Sequence, residues 1–220
     1  SIVYRSLNAV TRTSQGSDPL PYWIFKECSL ELTPVIMHLF NRTLITSQIP
    51  NSWKHCIVTP KPKVNTPQNL GDLRPISVTP ILSRVFERLF VRHHFYPSIP
   101  PSILSDQFAF RPTGSTTAAL TFAFHHVTKL LATNSYVRCL LVDFSKAFDT
   151  VPHAILLHKL ESYGCPQHVI SWLASYLTNR TQSVATPAGT TPPLTITRSI
   201  IQGSGIGPTS FIATIADLTP

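Results

Sequence analysis

Acidic residues are scarce in this chain. Its 220 residues include 10 Asp and Glu against 18 Lys and Arg, which gives a formal net charge of +8. A basic balance of this size favours polyanionic partners, nucleic acid above all. A positively charged surface without any ligand is the alternative that composition leaves open.

The chain also lacks the patterns that define several other classes. It has no CxxC pair and no HExxH, so neither a zinc site nor a disulfide framework is indicated for its four cysteines. No apolar run approaches the roughly 18 residues of a membrane span, and no leader pattern opens the chain. We therefore expect an intracellular protein without membrane contact. Because the chain begins at Ser1 and its one methionine is Met37, we also expect an excerpt of a longer reading frame.

What the sequence does contain is a mixture of helix and strand patterns. Caps and apolar spacing predict helices that begin at Thr33–Pro34, at Thr79–Pro80 and at Ser115, and two more that open at Pro152 and Pro166. Extended runs are predicted at 54–60, 136–144, 181–186 and 194–201. Without strict alternation of strand and helix, this mixture indicates an α+β fold. The helix after Pro80 has an apolar stripe, and its outer face carries Arg84, Glu87, Arg88 and Arg92. The ordinary interpretation is that this face is solvated. The alternative is that it lies near a phosphate backbone.

Asp143 ends the apolar run of the segment "LLVDFSKAFDTVPH". A carboxylate at the end of a buried strand emerges at the sheet edge, where it reaches solvent, metal or substrate. Polymerases hold two Mg²⁺ ions between such carboxylates. An aspartate that only caps the following turn is the competing interpretation.

A second segment, "IIQGSGIGPTSF" at 200–211, indicates a glycine-rich turn before a helix, where the backbone approaches a ligand closely. A dinucleotide-binding turn is the alternative, but it requires a complete GxGxxG and a later acid.

Together these segments resemble the reverse transcriptases of LINE-type (non-LTR) retrotransposons. "LVDFSKAFDTVPH" is similar to their first catalytic motif and "QGSGIGPTSF" to their QGxxxGPxxF nucleotide motif. Upstream, "IPNSWKHCIVTPKPK", "LRPISVTPILSRVFERL" and "SDQFAFRPTGSTTAAL" resemble the fingers motifs and the QFGFRxxxST segment in the same order. Bacterial intron-encoded reverse transcriptases are the nearest competitor within the family.

The resemblance implies a right-hand polymerase fold with fingers and an incomplete palm. Residues 1–118 would form a fingers-like region with N-terminal helices, and residues 119–220 an incomplete palm with interleaved fingers elements. The implied reaction is RNA-templated transfer of a dNMP to a primer 3′-OH. The implied partners are an RNA template, a DNA primer and dNTP, the implied cofactor is Mg²⁺ as two ions, and the implied location is the nucleus.

The resemblance also assigns roles to single residues. Asp143 would be the catalytic aspartate and, with the main-chain carbonyl of Phe144, a metal ligand. Phe148 would lie under the incoming sugar, with core packing as its alternative role. The remaining assignments are Lys61 and Arg74 on the triphosphate, Gln202 and Gly203 beside the nucleotide, and Arg111 on the template.

Three departures from the family pattern accompany the resemblance. Ile201 stands where proline is common, Ala109 replaces the usual glycine of QFGFR, and no [YF]ADD tetrapeptide occurs in the sequence. The resemblance places that tetrapeptide beyond Pro220, so we expect a fragment that is inactive on its own. A catalytically inactive nucleic-acid-binding remnant is the alternative function.

Overall fold

The computed structural model describes residues 1–14, 16–18, 20–201 and 203–218. It confirms the predicted mixture of helices and strands. The helices are α1 (Ile2–Asn8), α2 (Tyr22–Glu27), α3 (Ser29–Thr46), α4 (Ile81–Phe90), α5 (Tyr96–Ser98), α6 (Thr116–Leu131), α7 (His153–Ser162), α8 (Gln167–Leu177) and α9 (Gly207–Ile215). The strands are β1 (His55–Pro62), β2 (Leu73–Val78), β3 (Arg180–Thr186), β4 (Gly189–Thr190) and β5 (Leu194–Ile196).

These strands form one sheet in which β1 lies between β2 and β3. β2 is antiparallel to β1, β3 is parallel to β1, and β4 and β5 pair with opposite ends of β3. Because β1 comes from the first half of the chain and β3 from the second, the sheet joins the two predicted regions. The prediction did not include β2, whose segment "LRPISV" contains a proline.

The core contains an aromatic cluster between α4 and α8. Trp172 stacks on Phe90 at 4.0 Å between ring centroids and lies 5.2 Å from Phe86 and 5.3 Å from Tyr176. Aromatic pairs at such distances stabilise beyond the area that they bury, by about 0.5–1.5 kcal/mol each. This cluster fixes α4, which carries part of the candidate site on its other side.

Two helix starts differ from the prediction. α3 begins at Ser29, so Pro34 lies inside the helix and the Thr33 hydroxyl donates back to the Ser29 carbonyl instead of capping. At α4 the Thr79 hydroxyl is buried and has no hydrogen-bond partner among the described residues. The carboxylate of Asp18, 63 positions away, accepts the Ile81 N–H in its place. At α4 a distant side chain therefore satisfies the helix start that the sequence pattern assigned to Thr79.

The other helix starts are confirmed. The Ser115 hydroxyl accepts the Ala118 N–H at 3.0 Å and caps α6. α7 and α8 follow Pro152 and Pro166 directly, and Gly164 between them has a positive φ of 74°.

The predicted strand at 136–144 is wrong. This segment has no strand pairing in the described part of the chain, and most of its apolar side chains are exposed, with Leu140 at 90% and Leu141 at 93%. A run that is apolar on both faces needs a neighbour at each edge and cover on each face. The described elements supply neither, and α6, which precedes the segment, likewise has no buried residue.

Candidate functional site

The β1–β2 hairpin brings two of the predicted cations together. Lys61 and Arg74 are directly opposite each other in the antiparallel register, and both side chains are exposed. Side chains opposite each other in such a pair lie on the same face, about 4.5–5.5 Å apart at Cβ, and like charges there destabilise the sheet. An anion bound between the two cations would remove that repulsion.

The loop beyond these cations is held by its own hydrogen bonds. The Asp72 carboxylate accepts the backbone N–H groups of Gln68 and Asn69 at 2.9 and 3.0 Å, and these bonds lower its pKa. The Lys63 ammonium donates to the Gly71 carbonyl at 2.9 Å. Lys61 and Arg74 therefore stand at the base of an ordered loop.

The glycine turn, residues 203–207, lies against the same hairpin. Gly203 has a φ of 103°, and a Cβ at this position would lie 2.8 Å from the Ser77 carbonyl oxygen of β2. Only glycine fits this combination of backbone conformation and close approach. Ser77 is three residues from Arg74, which at about 3.4 Å per residue places the turn about 10 Å along β2 from the cation pair.

Internal hydrogen bonds shape the rest of the turn. The Ser204 N–H donates to the Ile201 carbonyl, and its hydroxyl accepts the Gly207 N–H, both at 3.0 Å. α9 starts at Gly207, with Pro208 in its first turn. The predicted sequence of turn and helix start is thus confirmed, while Gln202 lies outside the described residues.

Phe148 connects the first motif to this turn. Its carbonyl accepts the Ile200 N–H at 2.8 Å, and its half-buried ring lies 5.2 Å from Phe211 of α9 and 6.2 Å from Phe110. The C-terminal half of the motif is therefore attached to the chain just before Gly203. The ring packs against the protein, in agreement with the core-packing alternative, while the sugar contact stays a prediction.

Asp143 and Phe144 lie in the exposed segment that fails to form a strand, with Phe144 48% exposed. Among the described residues, which include every acid of the chain, no three His, Cys, Asp or Glu side chains are grouped closely enough to hold a metal ion. One carboxylate and one carbonyl are oxygen donors of the type Mg²⁺ prefers, but they are too few for a two-ion site. The donors among the described residues therefore do not fit the complete metal centre.

Arg111 is engaged within its own loop. Its guanidinium donates to the carbonyls of Leu104 and Gln107, the second at 3.0 Å, and its buried Nε has no partner in the described part of the chain. These bonds stabilise the loop before α6. The predicted template contact stays a prediction.

A basic pocket of about 220 Å³ lies between α4 and the glycine turn. Arg84 and Arg88 line one wall and Gly203, Ser204 and Gly205 another. Arg84 is half-buried and donates to the Thr13 hydroxyl at 2.7 Å, and burial lowers the pKa of its guanidinium. Arg88 is exposed at the rim.

Sequence patterns missed one residue of this region. Glu87, predicted on the outer face of α4, has no solvent exposure and accepts the Gly205 N–H at 2.8 Å. Its position between Phe86 and Arg88 in the sequence gives no signal of this contact, because the partner lies 118 positions away.

Comparison with known proteins defines the class. The family described as reverse transcriptase (RNA-dependent DNA polymerase) matches residues 59–219, most of the chain. The chain belongs to this family.

Its relatives come from mobile elements. The chain is 27% identical over 182 residues to the RNA-directed DNA polymerase from mobile element jockey of Drosophila melanogaster, covering 82% of this chain and 20% of that protein. It is 28% identical over 183 residues to the probable RNA-directed DNA polymerase from transposon BS of the same organism, with the same coverage. A Pol polyprotein from the type-1 retrotransposable element R2 of Popillia japonica is 23% identical, over 94% of this chain and 28% of that protein. The predicted kinship with LINE-type reverse transcriptases is confirmed, and these comparisons do not favour the inactive remnant.

The chain spans about a fifth of the length of the jockey and BS proteins. No helix among its described residues has the length and apolarity to cross a membrane.

Proposed function

We propose that this chain is the fingers and the first part of the palm of a right-hand polymerase, within a longer LINE-type reverse transcriptase. In the parent reaction the primer 3′-OH oxygen attacks the α-phosphorus of a dNTP. The new P–O bond forms as the bond between the α-phosphorus and its bridging oxygen breaks, pyrophosphate leaves, and the hydroxyl proton is lost.

One observation carries the proposal. Arg74 of β2, opposite Lys61 of β1, and the Gly203 turn, which lies against Ser77 of β2, are about 10 Å apart by strand geometry. That spacing suits an extended nucleotide, with its triphosphate on the two cations and its base end near the turn. Arg binds phosphate oxygens through two parallel hydrogen bonds and Lys acts as a point charge.

The other residues take supporting roles in this proposal. Phe148, fixed against Phe211, would exclude a ribose 2′-OH by its bulk, and Gln202 and Gly203 would border the nucleotide. Asp143 and the Phe144 carbonyl would supply part of the Mg²⁺ coordination, and further carboxylates must come from outside residues 1–220.

The proposed macromolecular partners are an RNA template, with Arg111 on the template side, and a DNA primer. A net charge of +8 suits both, because basic side chains displace counterions from phosphates. The proposed location is the nucleus, since such elements act on chromosomes.

The test is dTTP binding to the 220-residue chain, measured by isothermal titration calorimetry. Changing Lys61→Ala and Arg74→Ala together should weaken binding about tenfold or more, because hydrogen bonds to charged groups are lost. The matched control is Lys26→Ala with Lys129→Ala, which removes two exposed cations elsewhere and gives the same charge, +8 − 2 = +6. Affinity for an RNA–DNA template-primer is measured on the same proteins. Equal losses of affinity for dTTP and for the template-primer would show that the two cations bind the RNA–DNA duplex and not the triphosphate.

A further inference from the structure

Glu87 is the one fully buried acid of the ten in this chain. It lies on α4, between the aromatic core and the glycine turn. Removing a carboxylate from water costs several kcal/mol unless hydrogen bonds and charges compensate. A buried acid at this position therefore needs a structural reason.

The carboxylate is shared between two donors. The Ser83 hydroxyl, one turn earlier on α4, donates to Oε1 at 2.8 Å, and the Gly205 N–H donates to Oε2 at 2.8 Å. The buried Arg180 guanidinium contributes favourable charge. The Tyr176 hydroxyl is close by, but its oxygen has no hydrogen bond of acceptable geometry. Burial raises the pKa of Glu87, while Ser83, Arg180 and the Gly205 N–H oppose that rise.

The contact with the turn is close as well as polar. A Cβ at Gly205 would lie 3.2 Å from the Glu87 Cβ and 3.3 Å from the Arg88 backbone nitrogen. The turn is therefore held at two points, by β2 at Gly203 and by α4 at Gly205.

Arg180 anchors the opposite side of this arrangement. Its guanidinium donates to the carbonyls of Tyr176 and Trp53, both at 3.1 Å, and lies 4.3 Å from the centre of the Tyr176 ring. α8, β3 and the turn before β1 thus meet behind the Glu87 carboxylate. Buried groups therefore fix the position of the carboxylate oxygen that accepts the Gly205 N–H.

We infer that Glu87 is a positioning residue, which fixes the backbone of the glycine turn through its carboxylate and thereby sets the surface offered to the nucleotide. The part of this inference that concerns the nucleotide rests on the proposed function. The part that concerns the turn does not.

The first test uses nuclear magnetic resonance on the unmodified 220-residue chain. The Gly205 amide resonance should follow the titration of Glu87, with a midpoint above 4.5, the ordinary value for this side chain. A Gly205 amide that does not respond as Glu87 titrates would overturn the inference. This measurement needs no variant and no polymerase activity.

The second test compares two substitutions. Glu87→Gln keeps an acceptor oxygen, and Glu87→Met keeps the length without one. Hydrogen exchange at Gly205 should stay slow in the Gln variant and become about tenfold faster or more in the Met variant, as expected for a lost charged hydrogen bond. Exchange at the Ile170 N–H, which donates to the Pro166 carbonyl at the start of α8, reports whether this part of the core is intact. Equal exchange at Gly205 in both variants, with Ile170 still protected, would overturn the inference.

The third measurement is dTTP binding by the same variants. The Met variant should bind more weakly than the Gln variant, which should restore affinity close to that of the unmodified chain. If the substitutions at Lys61 and Arg74 leave dTTP binding unchanged while Gly205 responds as above, the proposed function fails and the positioning role stands. If dTTP binding depends on Lys61 and Arg74 but is the same in the Gln and Met variants, the positioning role for the nucleotide fails alone.

Discussion

At the scale of single residues, Phe148 combines packing with a proposed role in choosing the sugar. Its ring lies 5.2 Å from Phe211, and its carbonyl accepts the Ile200 N–H. In a longer protein that includes the [YF]ADD segment, Phe148→Val should allow ATP to be incorporated while dATP use survives, because the bulk facing the 2′-OH is gone. The measurement is the ratio of kcat/KM for dATP and ATP.

Phe211→Val is the matched control, since it removes the same ring contact from the other side. Both substitutions should lower the free energy of unfolding by about 1–2 kcal/mol, as for a partly buried ring. Only the change at Phe148 should alter the sugar ratio. If the ratio is unchanged in both, Phe148 is a packing residue and no more.

Some residues of the candidate site are predictable from the sequence and others are not. The motifs identify Lys61, Arg74 and Phe148, and the register of β1 and β2 brings the two cations opposite each other. The burial of Glu87 is not predictable, because helical spacing assigns charged residues to the solvated face. A buried carboxylate has the same pattern in the sequence as a solvated one. Its partner Gly205 is a long-range contact that no local pattern contains.

At the scale of elements, the N-terminus of α4 depends on a residue far away in sequence. Asp18 accepts the Ile81 N–H, and Arg84 of the same helix donates to Thr13 and Ser14 in the segment that carries Asp18. Asp18→Ala should therefore lower the free energy of unfolding by about 1 kcal/mol, the usual effect of losing a cap. Chemical denaturation measures it.

Asp106→Ala, at an exposed position, is the control and should leave stability unchanged within about 0.5 kcal/mol. An equal effect of both substitutions would show that Asp18 does not act as the cap. A loss well above that of a cap would mean that Asp18 also holds the segment before α2 in place.

Elements whose start signals lie in their own sequence are predictable. Elements that need a pairing partner from elsewhere in the chain are not. α6, α7 and α8 carry their start signals beside them, in Ser115, Pro152 and Pro166. The run at 136–144 has strong strand character, but a strand exists only when another strand pairs with it. The described chain offers that segment no partner, so Leu140 and Leu141 remain exposed.

At the scale of the whole molecule, the positions of the acidic residues limit how well residues 1–220 bind Mg²⁺ on their own. Glu87 is buried against Gly205, Asp18 and Asp72 accept backbone N–H groups, and Asp217 pairs with Lys159 of α7. The Asp217 pairing lowers the pKa of its carboxyl. These four carboxylates already bind groups of the chain itself. The resemblance places Asp143 alone at the metal.

Two Mg²⁺ ions with a triphosphate need several carboxylate oxygens at one place, and Mg²⁺ gives up its waters reluctantly, so a single carboxylate binds it weakly. Residues 1–220 should therefore show no primer extension above background with Mg²⁺ or Mn²⁺, even where they fold and bind template-primer. A longer protein with the [YF]ADD segment should extend the primer. In that protein Asp143→Asn should abolish extension, whereas Asp106→Asn, which changes an exposed acid to the same residue type, should not. Incorporation of dNTP by the purified 220-residue chain, shown to be free of contaminating polymerase, would refute both the carboxylate argument and the assignment of Asp143.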